Sequence, residues 1–277
     1  MQEFKVSVII PVYNAAPYVA EACLSALQQV EVYEVILVED GSVDGSLEAC
    51  KKLAEQHESV KLFTHENNIN KGASESRNLG IRVAQFPYIA FLDADDHYLP
   101  NRFSVAQKIF DRNPEVEGVY ECTRLIPKGK LYTITRKLSH RKLLHYLLRG
   151  TYGHFTTNAI TLKRTCFDKV GYFNASLSLH QDTEMWFRLA HLCHLEAGSI
   201  TQPVSVYRKY SGNRITGHSP MTYVKAYRAF RVWLKGRKEI GFINSLLLSR
   251  KIAKLLVKEK GGHWFFFFIK EIIHPVH

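Results

Sequence analysis

The sequence has no apolar run approaching the roughly 20 residues needed to span a bilayer; its longest unbroken bulky stretch is Trp264 to Ile269. Cysteine is sparse. Cys23, Cys50, Cys122, Cys166 and Cys193 form no CxxC pair and no metal-ligand spacing. That excludes a disulfide-stapled secreted module and leaves buried thiols in a reducing compartment as the expectation. The first apolar run is interrupted by Pro11 and lacks a basic leader or a small-residue cleavage site, so no secretion signal is expected. There is no internal repeat and no Walker A, GxGxxG, HExxH or GxSxG motif.

Acidic residues are missing from one half only. Residues 124–277 hold 7 Asp/Glu against 27 Lys/Arg, whereas residues 1–123 hold 19 against 10. The overall +11 is therefore an acidic half at −9 and a basic half at +20. Net positive charge invites a nucleic-acid or anionic-membrane reading. The acidic half, and the absence of RRM, helix-turn-helix or zinc patterns, argue against nucleic acid.

With 46% hydrophobic and 23% charged residues in 277 positions, the chain buries a substantial core and suits one large domain or a domain with a tail. Val6–Val12 is apolar on both faces, as in a buried parallel strand. Apolar residues at helical spacing follow over Pro17–Gln29, then a strand over Tyr33–Val38 and a helix over Asp44–Gln56 that Ser42 or Asp44 is placed to cap. Val60–Thr64, Glu75–Ala84 and Tyr88–Leu92 continue as strand, helix, strand. This alternation predicts βαβ units and a parallel sheet. The second half is less regular: a strand pair within Cys122–Ile134, an extended Gly153–Leu162, a helix over Asp182–His194, a strand at Val204–Tyr207, and helices from Met221 onward.

Ligands of a parallel α/β sheet bind outside the carboxyl ends of its strands. Two predicted strands end in acids, Glu39-Asp40 and Asp93-Ala94-Asp95-Asp96. Crowded carboxylates repel unless a cation compensates, and hard oxygen ligands favour Mg²⁺ or Mn²⁺. One acid suffices to cap a helix; three in four positions point to a metal.

Five segments, in order, resemble the family-2 glycosyltransferases: VSVIIPVYN at 6–14, Glu39-Asp40-Gly41-Ser42 running to Ser46, Asn70-Lys71-Gly72 with Ser76-Arg77-Asn78-Leu79-Gly80, Phe91 to Asp96, and Val170 to Asn174 followed by Gln181 to Leu189. The resemblance covers roughly residues 4–215. It implies an α/β GT-A fold, Rossmann-like with a mainly parallel sheet flanked by helices, and an inverting enzyme using a nucleotide-diphosphate sugar, here a UDP-sugar. By resemblance, Pro11, Val12 and Tyr13 line the base pocket and Asp40 accepts a hydrogen bond from the base. Lys71 and Arg77 approach the base or diphosphate. Asp93, Ala94 and Asp95 form the DXD element; Asp95 is nearest the metal, Asp93 beside it, and Asp96 is an alternative ligand. Asp182 is the catalytic base, and Glu184 a first-turn helix acid. Two departures stand out: Glu39 where Asp is common, and Gln181 where Glu is common. Tyr207–Arg214 resembles a segment that closes over the diphosphate, and His154 and His218 are weaker candidates for the acceptor and the metal.

Residues 1–218 are thus expected to form the catalytic domain, with 1–123 binding donor and 124–218 facing acceptor, and 219–277 to form a basic helical extension. In that extension Tyr223, Val224, Tyr227, Phe230, Trp233 and Leu234 share one helical face, with Lys225, Arg228, Arg231 and Lys235 largely off it. Such faces suit a helix in an anionic membrane interface. They equally suit helices packed on the catalytic domain or on a second subunit, as in a homodimer. The expectation is a peripheral enzyme at the cytoplasmic face of the plasma or inner membrane, transferring to a glycan or lipid-linked oligosaccharide. A sugar nucleotidyltransferase and a catalytically silent nucleotide-sugar-binding protein remain as alternatives.

Overall fold

Strands and helices alternate along the first hundred residues as the periodicity predicts. In the computed structural model, which describes residues 3–209, 219–237, 239–260 and 263–273, the order is β1 (Val6–Val12), α1 (Val19–Leu27), β2 (Val32–Glu39), α2 (Ser46–Gln56), β3 (Val60–Thr64), α3 (Ala73–Val83) and β4 (Tyr88–Phe91). Next come β5 (His97–Tyr98), α4 (Ser104–Arg112), β6 (Gly118–Tyr120), β7 (Thr123–Ile126), β8 (Leu131–Tyr132), α5 (His140–Arg149), β9 (Ile160–Lys163), α6 (Cys166–Val170), α7 (Gln181–Leu192), β10 (Leu195–Ala197) and β11 (Ser205–Arg208). Three helices follow: α8 (Pro220–Trp233), α9 (Phe242–Lys260) and α10 (Trp264–Ile273).

The main sheet has the order β10-β6-β9-β4-β1-β2-β3. Its β4-β1-β2-β3 half is parallel, and β9 runs antiparallel between β4 and β6. A smaller sheet, β5-β11-β7-β8, includes the hairpin around Pro127–Lys130. The period-two alternation of strand side chains divides the core. Ile9, Ile36, Val38, Ile89 and Phe91 face one layer, with residues of α3, α5, α7, α8 and α9. Val8, Ile10, Val35, Leu37 and Ala90 face the other, with α1, α2 and α4. Helix α3 lies so close to β1 that a Cβ on Gly80 would sit 2.4 Å from Ile9 Cγ2. All five cysteines are buried and free.

Several expectations change. The expected extension over Gly153–Leu162 is a strand only from Ile160. Helix α2 begins at Ser46 behind Gly45, and Asp44 takes the Ser46 amide at 2.9 Å, whereas Ser42 accepts from the Asn14 amide. The 218/219 boundary is not a break in packing. Val224, Tyr227 and Phe230 of α8 are buried in the same cluster as Ile9, with Phe187 5.2 Å from Tyr227 and 5.4 Å from Phe230 between ring centroids. That apolar face therefore belongs to the core and is not available to a membrane. Two of its flanking bases turn inward as well: Arg228 and Arg231 each reach the buried Glu271 of α10 at 2.5 Å.

Candidate active site

The carboxyl ends of β1, β2 and β4 converge, and the backbone there is laced by side chains. At the end of β1, Pro11 pairs in register with Val38, beyond the last β1–β4 pair, Ile9 with Phe91. The missing proline N–H therefore leaves no ladder bond unmade. Tyr13 follows, 51% exposed. Asn14, with φ at 48°, turns back to accept the Val43 amide at 3.0 Å, joining this loop to the one after β2.

Glu39, the departure from Asp, folds over its own turn. Its carboxylate accepts from the Ser42 amide at 2.6 Å and the Gly41 amide at 3.2 Å. Gly41 has φ of 71°, and a Cβ there would lie 2.5 Å from the Asn68 carbonyl oxygen, so glycine is required. The neighbouring Asp40 is buried and accepts from the amides of Lys71 at 2.7 Å and Gly72 at 2.9 Å, with His65 Nε2 at 3.4 Å. Burial raises its pKa, opposed by those amides and by His65. Asp40 thus fixes the loop that presents the exposed Lys71.

Arg77, buried in α3, donates to Asp93 at 2.7 Å. Beside it Asn78 makes a reciprocal pair with the Phe173 backbone, donating to its oxygen at 2.9 Å and accepting its amide at 2.8 Å. One turn of α3 therefore links the Asp93 segment to the segment leading into α7. Asn158, which the sequence reading missed, completes the frame. It accepts the Asp93 amide at 2.9 Å and donates to Asp96 at 2.5 Å. Just before an apolar strand, Asn158 carries no sequence signal of its own.

Asp96 is fully buried, and its second oxygen takes the Arg208 amide at 2.7 Å. Burial, then the charges of Asp93 and Asp95, push its carboxyl up to about 8. It faces inward and anchors β11 through the Arg208 amide, and both its oxygens are already engaged by the fold. Asp93 and Asp95 remain half-buried around the buried Ala94. Arg208 turns its guanidinium to Glu21 and to His97, the latter at 3.0 Å. Residues 210–214 of the expected closing segment, and His218, lie outside the described residues.

Asp182 occupies the first turn of α7, after His180 with φ of 62°, and accepts the Thr183 amide at 2.7 Å. Its charge reaches two elements and a loop. The phenols of Tyr132 on β8 and Tyr223 on α8 are raised by burial and then by Asp182; His154 is lowered by burial, which Asp182 opposes. Glu184 points into the core and pairs with Arg188 at 2.6 Å, so it is the structural acid expected of it. A separate cavity of about 510 Å³ near Lys108, Lys137 and His140 contains none of these residues.

The sequence profile of glycosyl transferase family 2 matches residues 7–172, which takes in the ends of β1, β2 and β4 with Asp40, Arg77, Asp93, Asp95 and Asn158, and stops before Phe173 and Asp182. The chain belongs to glycosyl transferase family 2. Among its family-2 relatives is a glycosyltransferase of uncharacterised function, RC0461, from Rickettsia conorii. It is 31% identical over 228 residues, 77% of this chain and 36% of that protein, so the chain matches only about a third of its length. The amylovoran biosynthesis glycosyltransferase AmsB of Erwinia amylovora is 27% identical over 75% of this chain and 70% of its own. In three dimensions, residues 1–349 of S. aureus TarS, solved with UDP-GlcNAc, superpose with a TM-score of 0.74 at 17% identity, covering 96% of this chain and 81% of that one. The shared architecture is the GT-A fold.

Proposed function

We propose that this family-2 protein is an inverting glycosyltransferase that takes a sugar from a UDP-sugar donor and passes it to a hydroxyl of a glycan or lipid-linked glycan. The observation that carries this reading is the frame around Asp93. Arg77 and Asn158 hold the Asp93–Asp96 turn, and through Asn78 the same α3 turn holds the segment entering α7, where Asp182 stands. The UDP-GlcNAc complex of TarS and the polysaccharide role of AmsB support the choice of donor and acceptor class.

The donor set fits a divalent cation. Asp93 and Asp95 are half-buried carboxylates two positions apart on one turn, and the charge of both is felt by the buried Asp96. Hard ions such as Mn²⁺ or Mg²⁺ commonly take one or two carboxylates plus substrate phosphate oxygens. Asp95, with Asp93 beside it, would hold such an ion, which when bound stabilises charge on a departing diphosphate.

The chain's own groups do the rest. Tyr13 offers an open ring for the base and Lys71 an exposed cation for the diphosphate. Asp182 takes the acceptor hydroxyl proton as the oxygen bonds to the anomeric carbon and the bond from that carbon to the diphosphate breaks. One base and one displacement invert the centre. A thermal-shift screen of nucleotide sugars with Mn²⁺ tests donor binding. Stabilisation by UDP-sugars is expected, and no shift with any nucleotide sugar would refute the reading.

A further inference from the structure

Core packing accounts for only some of the tail's apolar and basic residues. In α9, Leu248, Ile252 and Leu256 recur every four residues and are buried. Away from that row Ile243 is 66% exposed and Leu246 39%, and Phe242, the first residue of the helix, is 81% exposed beyond the N-terminal end of the packed row. At about 100° per residue, Leu246, Arg250, Ile243, Lys254 and Lys258 share one side of the helix, away from the Leu248–Leu256 row. All three bases are exposed. Residues 234–259 carry seven Lys/Arg against two acids, Glu239 and Glu259, so the segment is net positive.

We propose that this side of α9 docks on an anionic lipid bilayer, with Phe242, Ile243 and Leu246 entering the interface and Arg250, Lys254 and Lys258 lying at the headgroup phosphates. Adjacent, widely exposed Phe and Ile residues mark a surface built to be covered. The bases in line with them select a negative partner, and apolar anchors beside Lys/Arg on one helix face are the pattern of interfacial binding. The contact lies in the interface, because among the described residues no helix is long and apolar enough to cross a membrane. None of these six residues is among those assigned to donor, metal or acceptor, so the surface is tested without reference to sugar transfer.

The full chain is sedimented with phosphatidylcholine vesicles containing 30% phosphatidylglycerol, and with phosphatidylcholine vesicles alone, at low salt and at 0.5 M NaCl. Binding to the anionic vesicles that falls at high salt is expected, with little to the neutral ones. Phe242→Ser with Ile243→Ser, and separately Arg250→Glu with Lys254→Glu, should each weaken binding by roughly tenfold or more. Their melting temperatures should match the unsubstituted chain, since the side chains are exposed. Absent or charge-independent binding, or binding unchanged by either pair, overturns the proposal. So does a dimer in light scattering that Phe242→Ser with Ile243→Ser converts to monomer, because the face then covers a second copy.

Discussion

His180 and Tyr223 stack with ring centroids 3.5 Å apart and planes 23° from parallel. The contact joins α8, from the basic extension, to the residue two positions before Asp182. His180 adopts a left-handed backbone conformation that a non-glycine residue holds only when its surroundings impose it. The extension is thus part of the support for the turn that carries Asp182.

Tyr223→Ala removes the ring that braces this turn and should lower kcat by about tenfold or more, since small misplacements of a reacting group are costly. Tyr223→Phe keeps the stack and should stay near the original rate. Steady-state kinetics of both variants, with melting temperatures, separate bracing from general destabilisation. Equal losses in both would point to the hydroxyl instead.

Asp182→Asn keeps the shape of the side chain and removes its basicity. Transfer should fall by roughly 10²–10⁴-fold, while UDP binding measured by calorimetry is retained. Turnover at the original rate would remove Asp182 from the mechanism.

Asn158→Ala strips the Asp93 amide and an Asp96 oxygen of a buried partner. The expected cost is about 1–3 kcal/mol of stability in denaturant unfolding. A rise in donor KM should accompany it, because the Asp93–Asp95 turn loses its frame.

Burial pushes the Glu121 carboxyl up to about 7, against the opposing pull of Arg102 3.4 Å away. Its folded pKa lies above the ordinary carboxyl value of 4.5, so the folded chain binds the extra proton. The stability this group contributes is present below about pH 4.5 and is lost as the pH rises through about 7. Glu121→Gln cannot titrate. Between pH 5 and pH 8 its melting temperature should improve relative to the unsubstituted chain, and a constant difference would exclude the linkage.

Phe230 is fully buried beside Phe187. Phe230→Ala should cost about 3–5 kcal/mol, a penalty for a core position. A negligible loss would make the tail an appendage.

The parallel half of the fold was legible because each strand and helix there writes its own period. Val6–Val12 is buried on both faces and α1 repeats its apolar residues at helical spacing, so local pattern and tertiary role agree. Helix α5 and the short strands β6 and β10 were not read. Three-residue strands carry too little pattern, and their pairing is non-local: Gly118 with Leu195, and Glu121 with the Ala159 carbonyl. The carboxylates were legible as a cluster but not as individuals. Asp93, Asp95 and Asp96 look alike in sequence, and only the partners brought by Asn158, Arg77 and Arg208 distinguish them.

The sequence alone determined the βαβ order, the acidic strand ends, the family resemblance and the division of charge between the halves. These follow from local spacing and composition, which need no partner. Tertiary structure decided where the apolar faces of the basic extension go. The aromatic face of α8 that suits a membrane also suits a protein core, because the hydrophobic effect is non-directional and does not specify which apolar surface covers another. Packing against Phe187 resolved that choice for α8, and left Phe242, Ile243 and Leu246 outside it.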